Sequence, residues 1–446
     1  MKKFMMAALG GTLAGALLTT QIAGPLIAQN DTNSGSVYEQ LDLFGDVFER
    51  IRSDYVEDVD EGKLIEAAIN GMLQSLDPHS GYLNPEQAAE MREHTRGSFG
   101  GLGVEITQEE GWVKVVSPMD GTPAFAAGVE SGDLITHVDG ENLFGYTLDD
   151  VVALMRGPVG SEVVITIVRE GIDEAFDVTI IRDEIKLTAA TVRAVGNIVV
   201  MRLTTFNDQT YPNMSDGMAK TIEELGGLEN VDGFVLDLRN NPGGLVNQAI
   251  KVADAFLEEG EIMSTRGRDP EASERVNATP GDLTGGRPLV VLINSGSASS
   301  SEIVSGALQD HRRAIVVGEK SFGKGSVQSL MPLRGDGMIR LTTARYYTPS
   351  GRSIQLLGVS PDIVVEQPRR RPVEEDTGPT NAERFSRSEA ELRGSLNNDS
   401  LTEDEIQQIE AEQIAAEEAA KLRDEDFQLS YAVDLLKGLA AIAPAN

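Results

Sequence analysis

Two helix-like runs of apolar residues open the polar part of the chain. Within each run the apolar positions are spaced by threes and fours, which places them on one face of an amphipathic helix. The second run stops at Asp77-Pro78, because proline disfavours helical geometry in the residue before it. The pattern predicts a helical N-terminal region over residues 31–97, with helices that carry Leu41, Phe44, Val47, Phe48, Ile51 and Tyr55, and then Leu64, Ala68, Met72 and Leu76.

After the glycine cluster at residues 97–103, the apolar runs become short and alternating, as in β-strands. One helix-like run, at residues 148–155, separates them. The pattern predicts a small β-rich domain over residues 98–184, with strand candidates at 104–107, 112–116, 134–138, 163–169 and 176–181.

From residue 185 onward, strand-like and helix-like runs alternate. The strand candidates are 198–203, 233–238, 289–294 and 314–317, and helix candidates lie between them. Such alternation is typical of an α/β core, which we place at residues 185–365. Residues 366–446 form an acidic tail that we expect to be partly disordered, with a terminal helix able to dock through its apolar residues. These are Leu429, Val433, Leu435, Leu436 and Leu439.

The first residues resemble an export signal. Lys2 and Lys3 precede an apolar run, and the chain stays uncharged to Asn30. Residues 1–28 are therefore predicted to be a signal peptide or, if retained, a membrane anchor, because about 20 apolar residues suffice to span a bilayer. Either outcome places the protein in the periplasm or on the inner membrane facing it.

The amino-acid composition argues against several classes of partner and active site. The 446 residues include 38 basic and 71 acidic side chains, a formal net charge of -33, which argues against a nucleic-acid partner. The chain contains no cysteine, so it has neither a thiol nucleophile nor a disulfide. Its length predicts two or three compact units.

The densest site-like segment is the serine-rich run from Asn294 to Val304, between an apolar strand and a predicted helix. A turn of small residues there can expose one hydroxyl above a helix N-terminus, where free N–H groups favour a developing oxyanion. The alternative is an ordinary helix cap, with Glu302 completing a capping box from Ser299. For an isolated serine run we favour the cap.

A second segment, from Gly318 to Gln328, contains a lysine flanked by glycines, Gly323-Lys324-Gly325. A lysine becomes a general base when burial lowers its pKa from about 10.4 towards neutrality. The glycines let the backbone close around it and keep acidic neighbours away. An exposed loop lysine is the alternative. Residues 318–324 also match the first part of a phosphate-binding motif, G-x-x-x-x-G-K. Position 325 is Gly instead of the Ser or Thr that completes the motif, which argues against nucleotide hydrolysis.

A third segment, Asp237 to Gly244, follows a hydrophobic strand into a polar turn whose glycines allow a backbone N–H to approach a ligand. Histidine is the commonest catalytic base, so a histidine enzyme is a rival interpretation. The four histidines, at 79, 94, 137 and 311, show neither a partner signal nor a metal-ligand spacing.

Together these segments resemble the carboxy-terminal processing proteases, serine peptidases with an inserted PDZ domain. The resemblance covers roughly residues 37–365, and its motifs occur in the family's order. It implies an α/β, crotonase/Clp-like protease core with an inserted β-rich PDZ domain and helical terminal regions. It also implies a Ser-Lys endopeptidase that requires no cofactor or metal.

The resemblance assigns roles to individual residues. Ser299 would be the nucleophile, Lys324 the base and Gln328 its assistant. The oxyanion hole would combine the N–H of Ser300 with that of Gly243 or Gly244. The sequence has Ser300 where the family usually has alanine, so Ser297, Ser300 and Ser301 remain alternative nucleophiles.

The PDZ assignment predicts how substrates bind. Such domains hold a terminal carboxylate in a backbone loop and add the last residues of the substrate as a β-strand. Gly101, Leu102, Gly103 and Val104 resemble that loop, and Arg156 is the candidate for coupling the domain to the active site. Expected partners are protein or peptide substrates with exposed apolar C-termini, a second copy of the chain, and an adaptor protein. A catalytically inactive PDZ scaffold is the rival from another class.

Overall fold

The computed structural model describes residues 34–269, 271, 273–368 and 403–442, and it divides into two units between Tyr82 and Leu83. The first unit contains α1 (Ser34–Asp54) and α2 (Glu61–Gln74), the two helices that the sequence predicts. The side chain of Asp60 caps α2 by accepting the N–H of Lys63 at 3.1 Å. Across the described ranges, none of the helices has the length and hydropathy needed to cross a membrane.

The second unit begins in the short strand β1 (Gly81–Leu83) and continues into α3 (Pro85–Arg96). The β-rich domain follows. Its main sheet is antiparallel, with strand order β3-β4-β5-β7-β8, while β6 pairs with β5 and β2 pairs with β9. The elements are β2 (Ser98–Gly101), β3 (Val104–Glu109), β4 (Trp112–Pro118), α4 (Pro123–Ala126), β5 (Leu134–Val138), β6 (Glu141–Asn142), α5 (Leu148–Met155), β7 (Glu162–Val168), β8 (Phe176–Ile181) and β9 (Asp183–Lys186).

The α/β core is built on a six-stranded sheet. Its strand order is β10-β11-β12-β15-β16-β19, and every neighbouring pair is parallel except β10 with β11. Strands buried on both faces carry continuous apolar runs, and all residues of β12 and β15 are buried. The elements are β10 (Ala190–Val195), β11 (Ile198–Leu203), α6 (Thr210–Glu224), a 3₁₀ turn (Leu228–Asn230), β12 (Gly233–Asp237), α7 (Val246–Asp254), β13 (Glu261–Gly267), β14 (Glu274–Asn277), β15 (Leu289–Ile293), α8 (Ser300–Asp310), β16 (Ile315–Gly318), β17 (Ser326–Pro332), β18 (Met338–Tyr347) and β19 (Ile363–Val364).

A second antiparallel sheet, which the sequence did not predict, contains β17, β18, β13 and β14 in that order. β17 starts two residues after Lys324, and β18 ends in Tyr346 and Tyr347. Most residues of both strands are only half-buried, so the strands lack a continuous apolar run. This sheet supports the segment that carries Lys324.

The described part of the tail consists of α9 (Glu403–Glu425) and α10 (Phe427–Ile442). Residues 369–402, like the predicted signal segment 1–28, lie outside the described residues. As predicted, the terminal helix docks through its apolar face, which packs against β12, β15 and β16. Its buried contacts are Leu429, Ala432, Val433 and Leu436.

An ionic cluster fixes the start of α10 to the core. Arg239, at the end of β12, donates 2.6–2.9 Å hydrogen bonds to both carboxylate oxygens of Asp237 and of Asp426, and Arg202 pairs with Asp237 at 2.8 Å. Burial disfavours the charged guanidinium of Arg239, but the hydrogen bonds to Asp426 and Asp237 outweigh it and raise its pKa. Burial alone would raise the pKa of Asp426, whereas the hydrogen bond from Arg239 outweighs it and lowers that pKa.

Candidate active site

Ser299 lies at the turn that joins β15 to α8, as its serine-rich sequence predicts. Its backbone has φ 54° and ψ -111°, a conformation that non-glycine residues rarely adopt. Only 7% of the residue is exposed. The carboxyl ends of parallel strands are a common place for functional residues in α/β sheets, and β12 leads into the 238–245 turn at the same edge.

The neighbouring serines make different contacts, which separate them from Ser299. The hydroxyls of Ser297, Ser300 and Ser301 donate to the carbonyls of Leu238, Gly244 and Asn241 at 2.8, 3.0 and 2.9 Å. These three serines therefore hold the serine turn against the 238–245 turn. Within the described residues, the hydroxyl of Ser299 makes no such hydrogen bond to the 238–245 turn.

Glu302 is fully buried and links the serine turn to the lysine segment. One of its oxygens, Oε2, accepts the N–H of Ser299 at 2.8 Å and the N–H of Lys324 at 2.9 Å. The other, Oε1, accepts the hydroxyl of Ser321 at 2.6 Å and the N–H of Gly323 at 2.7 Å. Four donors can stabilise a buried carboxylate without a cationic partner. The helix-cap interpretation was thus correct for Glu302, but the cap contact is only one of the four hydrogen bonds that its carboxylate accepts.

Lys324 is half-buried in the loop between β16 and β17. Its flanking glycines have the predicted steric role, because a Cβ on Gly325 would collide with the backbone nitrogen of Gln355. The glycines exclude acidic side chains from adjacent positions in sequence. The fold nevertheless brings the Glu302 carboxylate onto the backbone of this loop, a contact that neither segment predicts from its sequence.

The glycine turn lies directly against Ser299. Gly243 has φ 97°, and a Cβ there would lie 2.8 Å from the Cβ of Ser299, so only glycine fits. The N–H of Gly243 donates to Oδ1 of Asn241 at 2.9 Å. None of the hydrogen bonds between described residues uses the N–H of Gly244 or of Ser300.

Gln328 lies on β17, and its Nε2 donates to the hydroxyls of Ser326 at 2.9 Å and Thr342 at 3.3 Å. These contacts hold it on the small sheet, and its assistance to Lys324 stays a prediction. His311 ends α8 at the end opposite Ser299, with its Nε2 2.7 Å from the carbonyl oxygen of Glu261.

The predicted PDZ loop lines a cavity of about 160 Å³. Gly101, Leu102, Gly103 and Val104 form one side of it, and Val152 and Met155 of α5 contribute to the lining. A groove between a strand and a helix with an apolar lining suits an added peptide strand.

Arg156 follows α5 at one end of this groove. Its guanidinium lies 4.3 Å from the ring centroid of Phe99 and pairs with Glu93 of α3 at 3.2 Å. It therefore connects the β-rich domain to α3, and its coupling to the active site stays a prediction.

Comparison with known proteins gives matches to three parts of the chain. Residues 197–365 match peptidase family S41, residues 114–169 match a PDZ domain, and residues 5–87 match the N-terminal domain of the activating protease CtpB. The chain is therefore a peptidase with a PDZ domain. A carboxy-terminal-processing protease of Bartonella bacilliformis is 52% identical over 358 residues, which cover 80% of this chain and 82% of that protein. The chain belongs to the carboxy-terminal processing protease family, as its motifs predicted.

Further similarities are more distant. A probable CtpA-like serine protease of Staphylococcus aureus is 34% identical over 371 residues, covering 82% of this chain and 73% of the relative. Among solved structures, the photosystem II D1 C-terminal processing protease aligns with a TM-score of 0.43 and 31% identity, over 74% of this chain and 93% of that one.

Proposed function

We propose that this protease is a Ser-Lys endopeptidase that cleaves protein substrates near their C-termini, with Ser299 as nucleophile and Lys324 as general base. One observation carries the proposal: a single oxygen of the buried Glu302 accepts the backbone N–H of both residues. Two segments 25 positions apart in sequence are thereby fixed side by side. A further support is the unusual backbone of Ser299, whose neighbours use their hydroxyls to hold the turn.

The reaction follows from these roles. Oγ of Ser299 attacks the scissile carbonyl while its proton passes to the Nζ of Lys324. The tetrahedral oxyanion accepts hydrogen bonds from the N–H of Ser300 and from the glycine turn, where Gly244 is the better donor because the N–H of Gly243 is engaged by Asn241. Lys324 returns the proton to the leaving amine, and water then hydrolyses the acyl-enzyme. Gln328 orients Lys324 in this scheme.

Substrate capture belongs to the PDZ groove. The last residues of a protein chain would add as a strand beside Val104, with apolar side chains in the cavity lined by Val152 and Met155. This places the site of cleavage in the C-terminal region of the substrate. Arg156 would then couple the binding of substrate in the groove to the protease core, through its contact with α3.

The proposal also covers the cellular location of the enzyme and its assembly with other chains. An exported enzyme, periplasmic or anchored to the inner membrane, follows from the basic and apolar first residues, and cell fractionation with an antibody to the chain tests it. The apolar face of α1 includes Leu41 and Phe44, which are 59% and 47% exposed, and supports pairing with a second copy. Sedimentation at several concentrations tests the pairing, and co-purification tests for an adaptor.

The chemistry is tested by cleavage of an unstructured polypeptide that ends in apolar residues. Ser299→Ala and Lys324→Ala should each lower kcat by at least about a thousandfold, whereas His311→Ala and Ser295→Ala should retain activity. Ser295 is the matched control, because it lies exposed in the same turn. Turnover retained in Lys324→Ala would refute the base, and proteolysis unchanged in Ser299→Ala would leave the PDZ scaffold as the better interpretation.

A further inference from the structure

The glycine turn of the proposed active site is held in place by side chains to which the family resemblance assigns no role. The peptide bond between Gly243 and Gly244 is called the glycine peptide below. Its carbonyl oxygen, on Gly243, accepts the N–H of Phe206 at 3.0 Å and the hydroxyl of Thr205 at 3.3 Å. Both donors follow β11 directly, so the glycine peptide is fixed to the core sheet.

Asn241 fixes the residue that carries this carbonyl. It is fully buried, and its Oδ1 accepts the N–H of Gly243 at 2.9 Å. Its Nδ2 donates to the carbonyl of Leu203, the last residue of β11, at 3.0 Å. The backbone carbonyl of Asn241 accepts the N–H of Ala298 at 3.0 Å and the hydroxyl of Ser301 at 2.9 Å. One residue thus joins β11, the glycine turn and the serine turn.

These contacts determine the direction of the N–H of Gly244. In a planar trans peptide the C=O and the N–H point in opposite directions. The carbonyl of the glycine peptide points to the residues after β11, so its N–H points away from them, and among the described residues it has no acceptor. The turn also lies close to the other proposed oxyanion donor, since a Cβ on Gly243 would lie 3.0 Å from the backbone nitrogen of Ser300.

The turn needs these contacts because glycine supplies little rigidity of its own. Gly243 and Gly244 adopt φ 97° and 145°, and a Cβ on Gly244 would collide with the carbonyl oxygen of Phe206, so a stiffer residue does not fit. Neighbouring side chains must fix the peptide instead, since an oxyanion hole works through donors that are in place before the reaction. An amide suits position 241, because one neutral group supplies the acceptor for Gly243 and the donor for Leu203.

We propose that Asn241 and Thr205 are positioning residues of the peptidase reaction, which hold the glycine peptide so that its N–H donates to the oxyanion. The inference rests on the proposed function, since it takes Ser299 as the nucleophile. Both side chains act through the glycine peptide, whose N–H stabilises the tetrahedral state and not the bound substrate. Their loss therefore lowers kcat and leaves KM unchanged.

The first test removes one hydroxyl. Thr205→Val should lower kcat about threefold with KM unchanged, whereas Thr205→Ser keeps the hydroxyl and should stay near wild type. The matched control is Thr204→Val, because the hydroxyl of Thr204 donates to the carbonyl of Ala189 at 3.2 Å and not to the glycine peptide. Wild-type kcat in Thr205→Val, an equal loss in Thr205→Ser, or an equal loss in Thr204→Val would overturn the inference.

The second test is Asn241→Ala, with Asn241→Asp as the variant of the same size. Each should lower kcat at least about thirtyfold, approaching the roughly hundred- to thousandfold cost of losing an oxyanion donor. A peptide aldehyde forms a tetrahedral adduct with the nucleophile, and its inhibition constant should rise by the same factor while KM stays unchanged. Rates are expressed per active site, with sites counted by the fluorophosphonate bound at completion, so unfolded molecules do not contribute.

A purely structural role would lower only the number of labelled sites. Unchanged kcat per site and unchanged aldehyde binding in the Asn241 variants would therefore overturn the inference, as would a change confined to KM. If neither Asn241 variant folds, the Thr205 variants decide the outcome. Ser299→Ala is measured in parallel: activity in that variant refutes the proposed function, whereas its inactivity beside wild-type rates in the Asn241 and Thr205 variants refutes only the positioning role.

Discussion

Two regions of the molecule differ in what they require of their side chains. One is the serine-lysine region around Ser299, Glu302 and Lys324, and the other is the PDZ groove beside Val104. At the first, Glu302 is fully buried and each of its oxygens accepts two hydrogen bonds. At the second, an apolar cavity lies beside a strand, and a peptide strand would be bound mainly through backbone groups. The first region thus requires individual atoms in fixed places, whereas the second requires only shape and apolar character. Substitutions can therefore test the contributions of the two regions independently.

The largest effect should come from Glu302→Gln, which keeps the size of the side chain. An amide nitrogen cannot accept hydrogen bonds, so at least one pair of donors at Glu302 loses its acceptor. We expect a loss of about 3 kcal/mol of unfolding free energy and at least a hundredfold loss of kcat. Urea unfolding and peptide cleavage measure the two. Glu319→Gln, five residues before Lys324, makes the same chemical change as a control, and equal effects in both variants would contradict this role of Glu302.

Asp426→Asn should come next, because it weakens the buried cluster that fixes α10. The expected loss is about 2 kcal/mol at neutral pH. The pKa of Asp426 is lowered in the folded state, so its contribution is complete above the ordinary Asp range, near pH 4, and is lost as the pH falls through the folded pKa.

Melting curves of wild type and Asp426→Asn from pH 7 to pH 3 should therefore converge at the acidic end. Asp434→Asn is the control, since its pairing with Arg423 is exposed. A difference that stays constant, or grows, as the solution is acidified would count against the ionic cluster.

A smaller effect is expected in the PDZ groove. Val152→Glu places a charge beside the cavity and should raise KM for the apolar-tailed polypeptide at least tenfold, about 1.4 kcal/mol. Labelling of Ser299 by a small fluorophosphonate should not change. Ala153→Glu adds the same charge at an exposed position on the same helix and is the matched control. Slower labelling in Val152→Glu would show that the two regions are not separable in this way.

The smallest effect on stability is expected at Arg156. Its ion pair with Glu93 and its contact with Phe99 are partly exposed, so Arg156→Ala should cost about 1 kcal/mol or less. A double-mutant cycle with Glu93→Ala measures the pair directly. If Arg156 couples the groove to the core, turnover of the polypeptide will change by more than stability does. Equal small changes in both would argue against coupling.

Local sequence patterns predicted most helices and strands well, but they predicted the contacts between distant segments poorly. The buried strands and both flanking helices follow from apolar runs, and the positions of Ser299 and Lys324 follow from motif and spacing. The small sheet was missed because β17 and β18 are half-buried and lack a continuous apolar run.

The long-range contacts of charged residues were likewise not predictable from local sequence. Glu302 was predicted as a helix cap, which needs only a three-residue spacing, but its contact with the lysine loop depends on tertiary structure. Arg239 and Asp426 are 187 positions apart, so their pairing could not be read from either segment. Packing of α10 against the sheet brings them together.

The strained backbone of Ser299 has a consequence for how variants of this enzyme should be chosen. With φ 54°, the position suits glycine better than any residue with a side chain. Ser299→Ala keeps the strain and loses the hydroxyl, whereas Ser299→Gly loses both. The glycine variant should therefore melt above the alanine variant, although both lack the proposed nucleophile, and we expect it to be the better trap for a bound substrate. If Ser299 is the nucleophile, selection for thermal stability alone would drive this chain away from activity at that residue.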